Sequence, residues 1–150
     1  MATEKEQLKE KLVEFQQTIA GLKLTLADQE SMFLNRQKEL LLGLLDLMDA
    51  FESIEKNLEA KKDSLDKTAK MVGRNVLSIH KKLDRHLGSA GIVKMEIPGN
   101  RATMELCKVL DTRKDPEFAS ETICEVVKNG YINKEDGTVL RKAEVITVSK

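Results

Sequence analysis

Aromatic side chains are nearly missing from this sequence. Of 150 residues, four are Phe, one is Tyr and none is Trp, while 33% are charged. So few large rings and so much charge favour long surface helices over one compact core. Proline is as scarce. The two prolines are Pro98 and Pro116, so nothing before Pro98 forces a break in a helix. The two cysteines, Cys107 and Cys124, are too few for a disulfide framework. The opening MATEKEQLKEK has no apolar signal region. The most apolar run, LLLGLLDLM at Leu40–Met48, is interrupted by Asp46 and far too short to span a bilayer. We therefore expect a reduced, cytoplasmic protein with no membrane partner. Phosphate-loop, Gly-x-Gly-x-x-Gly and Cys-x-x-Cys patterns are also missing, and no nucleophile has a base at readable spacing. His80 and His86 fall on a predicted helix, where a structural role fits better than catalysis. Cys107 and Cys124 fall in predicted strands as small buried thiols. The expectation is no enzyme, no cofactor and no metal.

What is present is charge, unevenly spread. Residues 1–60 carry seven Lys/Arg against twelve Asp/Glu, a net −5. Residues 61–91 carry eight against three, a net +5, and residues 92–150 carry ten against ten. An acidic helical segment followed by a basic one suggests that the two pack together. Nucleic-acid binding by the basic segment is the competing reading. Its cations interleave with Asp63, Asp66 and Asp84 and have no aromatic among them, so no nucleic-acid partner is expected.

From Leu8 the apolar residues step by 4 and 3. One row is Leu12, Ile19, Leu26, Phe33 and Leu40; the other is Leu8, Phe15, Leu22, Gln29 and Arg36. This is a heptad seam held for more than four repeats, with charges outside it. A single helix over residues 4–60 would be roughly 85 Å long. Such a helix has no core of its own, and the simplest cover for its seam is a second copy in a parallel pair. The arm could serve for dimerisation alone. Gln29 and Arg36 weaken the seam, which makes the arm the first part expected to melt. From Leu40 the apolar face widens through Leu44, Met48, Phe51, Ile54 and Leu58, as in a helical bundle. Glu59–Ser64 allows a turn, and a second helix follows from about Leu65. Its seam is Leu65, Ala69, Val72, Val76, Ile79 and Leu83, and the GSAG at Gly88–Gly91 ends it. Two helices per chain, doubled, make a four-helix bundle.

After Gly91 the pattern changes to short β-rich runs. Candidate strands are Ile92–Ile97, Glu105–Leu110, Thr122–Lys128 and Val139–Val148. Turns are expected at Pro98–Asn100, Lys114–Pro116 and Lys134–Gly137, the last a hairpin marked by Asp136-Gly137. The reading is an α+β chain: a coiled-coil arm at 1–39, a dimeric bundle region at 40–89 and a small all-β domain at 90–150.

The run GY-x(5)-GxVLRxAxV, Gly130 to Val145, resembles the C-terminal signature of the GrpE family, nucleotide exchange factors of DnaK-type chaperones. ELLLGLLDLMDAF at Glu39–Phe51 resembles that family's Leu-Leu-x-x-x-x-Asp-x-x-x-x-Ala segment, with Asp46 as the matching Asp. AGIVKM at Ala90–Met95 is similar to the family's approach to its β domain. The resemblance covers roughly residues 39–150. The chain departs from the family in several places. Thr138 stands where an Arg is usual, the turn after Tyr131 is two residues longer, and Gly99-Asn100-Arg101 with Met104-Glu105-Leu106 replaces an Asp-Pro and His-x-Ala segment.

The resemblance implies a homodimer whose β domain engages the ATPase domain of a DnaK-type chaperone, opens its nucleotide cleft and speeds ADP release. The β-face candidates it implies are Val127, Thr138, Arg141, Ala143 and Val145. The alternating Val127, Ala143 and Val145 must be partly core, Arg141 could instead form an internal ion pair, and Tyr131 could be a core ring. Gly130 is expected to serve a backbone conformation or a close packing contact. The departures leave open a second reading, a coiled-coil adaptor of the same fold with weak or lost exchange activity.

Overall fold

The computed structural model describes residue 1 and residues 3–149. Helix α1 runs Glu4–Ala60 and helix α2 runs Lys67–Ser89. Six strands follow: β1 Ile92–Lys94, β2 Cys107–Lys114, β3 Ile123–Lys128, β4 Tyr131–Asn133, β5 Val139–Arg141 and β6 Ala143–Ser149. The chain divides into two compact units, Met1–Leu41 and Leu42–Lys150.

The first unit is helix. Thr3 and Glu6 cap its start reciprocally: Glu6 Oε2 accepts from the Thr3 amide at 2.8 Å, and Thr3 Oγ1 accepts from the Glu6 amide at 3.3 Å. Hydrogen bonding from Thr3, its backbone amide first, holds the Glu6 carboxyl below its ordinary pKa. Along the heptad rows Leu8, Leu12, Phe15, Ile19, Leu22, Leu26, Phe33 and Leu40 are each more than half exposed. Among the described residues of this unit nothing covers that seam.

In the second unit α2 begins at an Asp66 cap, whose Oδ1 accepts from the Ala69 amide at 2.7 Å. It ends where Gly91 turns left-handed at φ 80°. The two helices meet through small and flat groups. A Cβ on Gly73 would lie 3.1 Å from both methyl carbons of Leu58. The Phe51 ring stacks on His80 with centroids 5.5 Å apart, while His80 Nδ1 lies 3.6 Å from Glu55. This last contact, an ion pair only while His80 is protonated, is the one acid–base approach between α1 and α2 among the described residues. The acidic and basic segments thus pack together, as charge counting suggested, but among the described residues the acidic side chains draw no Lys or Arg cations from α2. Asp49 and Glu52 find them on the β region instead, at Lys94, Lys128 and Arg141.

The β region holds two three-stranded sheets. One has the order β1-β4-β5, antiparallel throughout. The other has the order β2-β6-β3, with β6 parallel to β2 and antiparallel to β3. Strand β1 is shorter than the expected Ile92–Ile97, and β2 lies further toward the C-terminus than the expected Glu105–Leu110. Residues 139–148 are two strands rather than one. The chain leaves the first sheet at Arg141 and joins the second at Ala143, with Lys142 between. β4 escaped the sequence reading because three residues are too few to show alternation. The Asp136-Gly137 hairpin joins β4 to β5: Gly137 has φ 72°, and the Asn133 amide donates to the Thr138 carbonyl at 2.8 Å. Cys107, Ile123, Ala143 and Val145 form the core under the second sheet. No helix among the described residues is long and apolar enough to cross a membrane.

Candidate functional site

The densest polar contacts of the β region converge on Arg141, at the end of β5. Its guanidinium grips Asp49 of α1 in two parallel bonds, Nη1 to Oδ2 at 2.7 Å and Nη2 to Oδ1 at 2.6 Å. The planar fork of arginine matches a carboxylate in this way, and a lysine could not reproduce it. The same guanidinium donates to the Asn129 carbonyl from Nη2 at 2.8 Å and from Nε at 3.2 Å. It also lies over the Tyr131 ring, 5.5 Å from the centroid. Asp46 adds a longer contact at 3.7 Å, and Lys128 approaches Asp49 at 3.8 Å. Both side chains of the central pair are mostly buried, with 16% of Arg141 and 17% of Asp49 exposed. Burial works against the Arg141 charge, but the Asp49 hydrogen bonds and charge outweigh it and hold its pKa above the ordinary arginine value.

A second pair of contacts lies one helical turn further along α1. Glu52 accepts from Lys94 Nζ at 2.9 Å and from Asn129 Nδ2 at 2.7 Å. Asp46, Asp49 and Glu52 are spaced by three and so share one face of the helix. That acidic row receives β1 through Lys94, the β3–β4 link through Asn129 and β5 through Arg141. The link is tight. A Cβ on Gly130 would stand 2.7 Å from the Ala143 amide nitrogen and 3.1 Å from the Arg141 carbonyl. Gly130 therefore serves close packing, one of the two roles expected for it. Tyr131 is 1% exposed, and its hydroxyl has no hydrogen-bond partner among the described residues. Burial, with the nearby Glu52 charge, pushes its pKa up to about 12, against a smaller opposing pull from Arg141.

The residues singled out from sequence fall into three places. Val127 on β3 and Thr138 in the β4–β5 turn are exposed, and the Thr138 amide donates to Asp136 Oδ1 at 2.8 Å. Arg141 is engaged internally. Ala143 and Val145 are 2% and 0% exposed, so their side chains lie in the sheet core and not on the surface. The alternation along β6 explains this: residues of that register face the core. Val109, Leu110, Val126 and Val127 leave apolar side chains exposed on the strands flanking β6. On the helices, Val72 and Ile79 are exposed, Leu44, Phe51, Val76 and Leu83 are half-buried, and Met48 is buried in its own chain. Sequence reasoning missed Asp49, Glu52, Asn129 and Lys94. The spacing of Asp46, Asp49 and Glu52 beside a wide apolar face was the available signal.

A cavity of about 600 Å³ opens beside β2 and β6, lined by Met104, Cys107, Lys108, Lys142 and Glu144 among others. It carries both signs of charge and no catalytic set. Among the described residues no group of three or more His, Cys, Asp or Glu is arranged to hold a metal ion.

A family model described as GrpE matches residues 1–150. No curated protein sequence matches the chain. The chain belongs to the GrpE family, whose members are co-chaperones that act as nucleotide exchange factors of DnaK-type chaperones and are not catalytic enzymes.

Proposed function

We propose that this chain is a cytoplasmic nucleotide exchange factor that works as a homodimer on the ATPase domain of a DnaK-type chaperone. Its part in the cell is to support protein folding under heat stress. Two copies pair along the uncovered α1 seam from Leu12 to Leu40 and along the exposed Val72 and Ile79 of α2. One β region then engages the chaperone and holds its nucleotide cleft open. An exchange factor needs no covalent chemistry. It binds the open cleft better than the closed one and so shifts a population. By reciprocity, nucleotide weakens the factor's own binding.

The observation that carries this reading is the β region's coupling to helix. A small sheet pair is pinned by Arg141 and Asp49, and it leaves Val109, Leu110, Val126 and Val127 exposed on its strands. Val127 and Thr138 are the contact residues from the family match whose side chains are free to touch a partner. Ala143 and Val145 support that surface from beneath. Cytoplasmic placement is consistent with the free thiols of Cys107 and Cys124.

A coiled-coil adaptor with lost exchange activity remains a second reading, favoured by Thr138, which offers a hydroxyl where the family has a guanidinium. Stopped-flow release of a fluorescent ADP from the cognate DnaK-type chaperone tests both. A large acceleration by this protein supports exchange. No acceleration with binding and dimer intact supports the adaptor. Sedimentation of the full chain beside a Leu26→Glu/Phe33→Glu variant tests the pairing, with a loss of dimer expected for the variant.

A further inference from the structure

We propose that Asp49 and Arg141 are positioning residues for exchange: they lock the β region at a fixed angle on α1, and that lock, rather than the contact surface alone, sets how far the chaperone cleft is driven. The inference rests on the exchange reading and names what makes it effective.

A factor can weaken ADP binding only by the difference between its affinities for the open and the closed cleft. A β region free to swing on its helix could follow a lobe as the cleft closes. It would then bind both states alike, and tight binding with no differential shifts nothing. A region held at one angle fits one cleft width. Rigidity is therefore what turns affinity into exchange.

The joint is built for that purpose. Direct side-chain bonds cross from α1 to the β region at two successive turns of the helix. At the first, Asp49 holds both arms of Arg141. At the second, Glu52 holds Lys94 and Asn129. Asn129 belongs to both, since its carbonyl accepts from Arg141 while its amide donates to Glu52. Two contact points along one helix resist rotation about either. Arg141 also closes the first sheet one residue before the chain passes into the second, so its anchorage reaches both sheets. Exposed ion pairs contribute little, but this pair is mostly buried, bidentate and backed by a carbonyl, where geometry is held.

Three variants separate the roles. Asp49→Asn keeps the shape and removes the charge. Arg141→Lys keeps the charge and removes the fork. Glu59→Gln is the control, since that carboxylate, further along the same helix, is 74% exposed and pairs with Lys62 at 3.1 Å, away from the joint. Fluorescent-ADP release from the cognate chaperone is followed across a range of factor concentrations. Simple misfolding lowers the active fraction, which raises the half-saturating concentration and leaves the plateau rate unchanged. A loosened joint lowers the plateau itself. We expect Asp49→Asn and Arg141→Lys each to lower the plateau by about tenfold, within the range usual for coupling between sites. Their double variant should be no worse than either alone, and Glu59→Gln should match the parent. An unchanged plateau for both single variants, with the parent active, overturns the inference and leaves the exchange reading standing. An inactive parent overturns both.

Discussion

Gly130 and Ala143 approach so closely that a methyl group on Gly130 would sit 2.7 Å from the Ala143 amide nitrogen. The contact joins the β3–β4 link to the first residue of β6, where the chain changes sheets. The neighbour is backbone and cannot rotate away. The Arg141 carbonyl and the Met95 sulfur, both at 3.1 Å, close the other sides.

Gly130→Ala should therefore destabilise the β region by roughly 2–3 kcal/mol, the upper part of the range for overpacking. Urea unfolding followed by Tyr131 fluorescence measures it, because Tyr131 is the single tyrosine and there is no tryptophan. Gly137 lies at φ 72° with nothing within 4 Å, so Gly137→Ala should lose only the conformational cost of about 1 kcal/mol. Equal losses at the two glycines would refute the close-packing account.

The cysteines should differ in reactivity. Cys107 is 5% exposed inside the sheet core, whereas Cys124 is exposed on β3. A thiol reagent should modify one cysteine promptly in the native protein and the second only as the sheet unfolds. Two thiols reacting at similar rates without denaturant would show that the core around Cys107 and Val145 opens readily.

How far these features were legible depended on the range over which they act. Helix α1 was visible because a heptad pattern repeats locally from Leu8 to Leu40, and its Glu4–Ala60 span needs no distant information. The Asp136-Gly137 hairpin was equally local. The sheet switch at Lys142 was not, because Val139–Val148 reads as one β-branched run. The Asp49–Arg141 pair joins residues 92 positions apart. The family pattern marked Asp46 and Arg141 but could not tell that the neighbouring carboxylate, one helical turn later, holds the fork. Charge counting suggested that α1 and α2 pack, and they do, but it could not show that the acidic row pairs with a β region that follows much later in the chain.

The arm offers a test of independence between the two units. Gly21 lies mid-helix with nothing within 4 Å of a Cβ. Gly21→Ala should stabilise the local helix by about 1 kcal/mol. If the arm melts first, as Gln29 and Arg36 suggest, circular dichroism should show its transition moving up by a few degrees. The transition seen by Tyr131 fluorescence should stay in place. A joint shift of both signals would mean that the arm and the rest melt as one.

Tyr131 should titrate abnormally, and its phenol should be a cost to the fold. Its hydroxyl is buried without a hydrogen-bond partner among the described residues, and burial moves its pKa from 10.0 to about 12. The folded state thus keeps its proton where the unfolded chain has lost it. The stability tied to that proton is fully present below pH 10 and disappears as pH rises through about 12, a loss on the order of 2–3 kcal/mol. Ultraviolet absorbance of tyrosinate follows the group without ambiguity, since no other tyrosine is present. Tyr131→Phe removes both the phenol and its titration. It should leave stability at neutral pH unchanged or raise it by about 1 kcal/mol, because an unpaired buried hydroxyl is lost along with its desolvation penalty. It should also flatten the alkaline part of the stability curve relative to the parent. A native tyrosinate midpoint near 10, or a phenylalanine variant weakened by several kcal/mol, would mean that the hydroxyl has a partner after all.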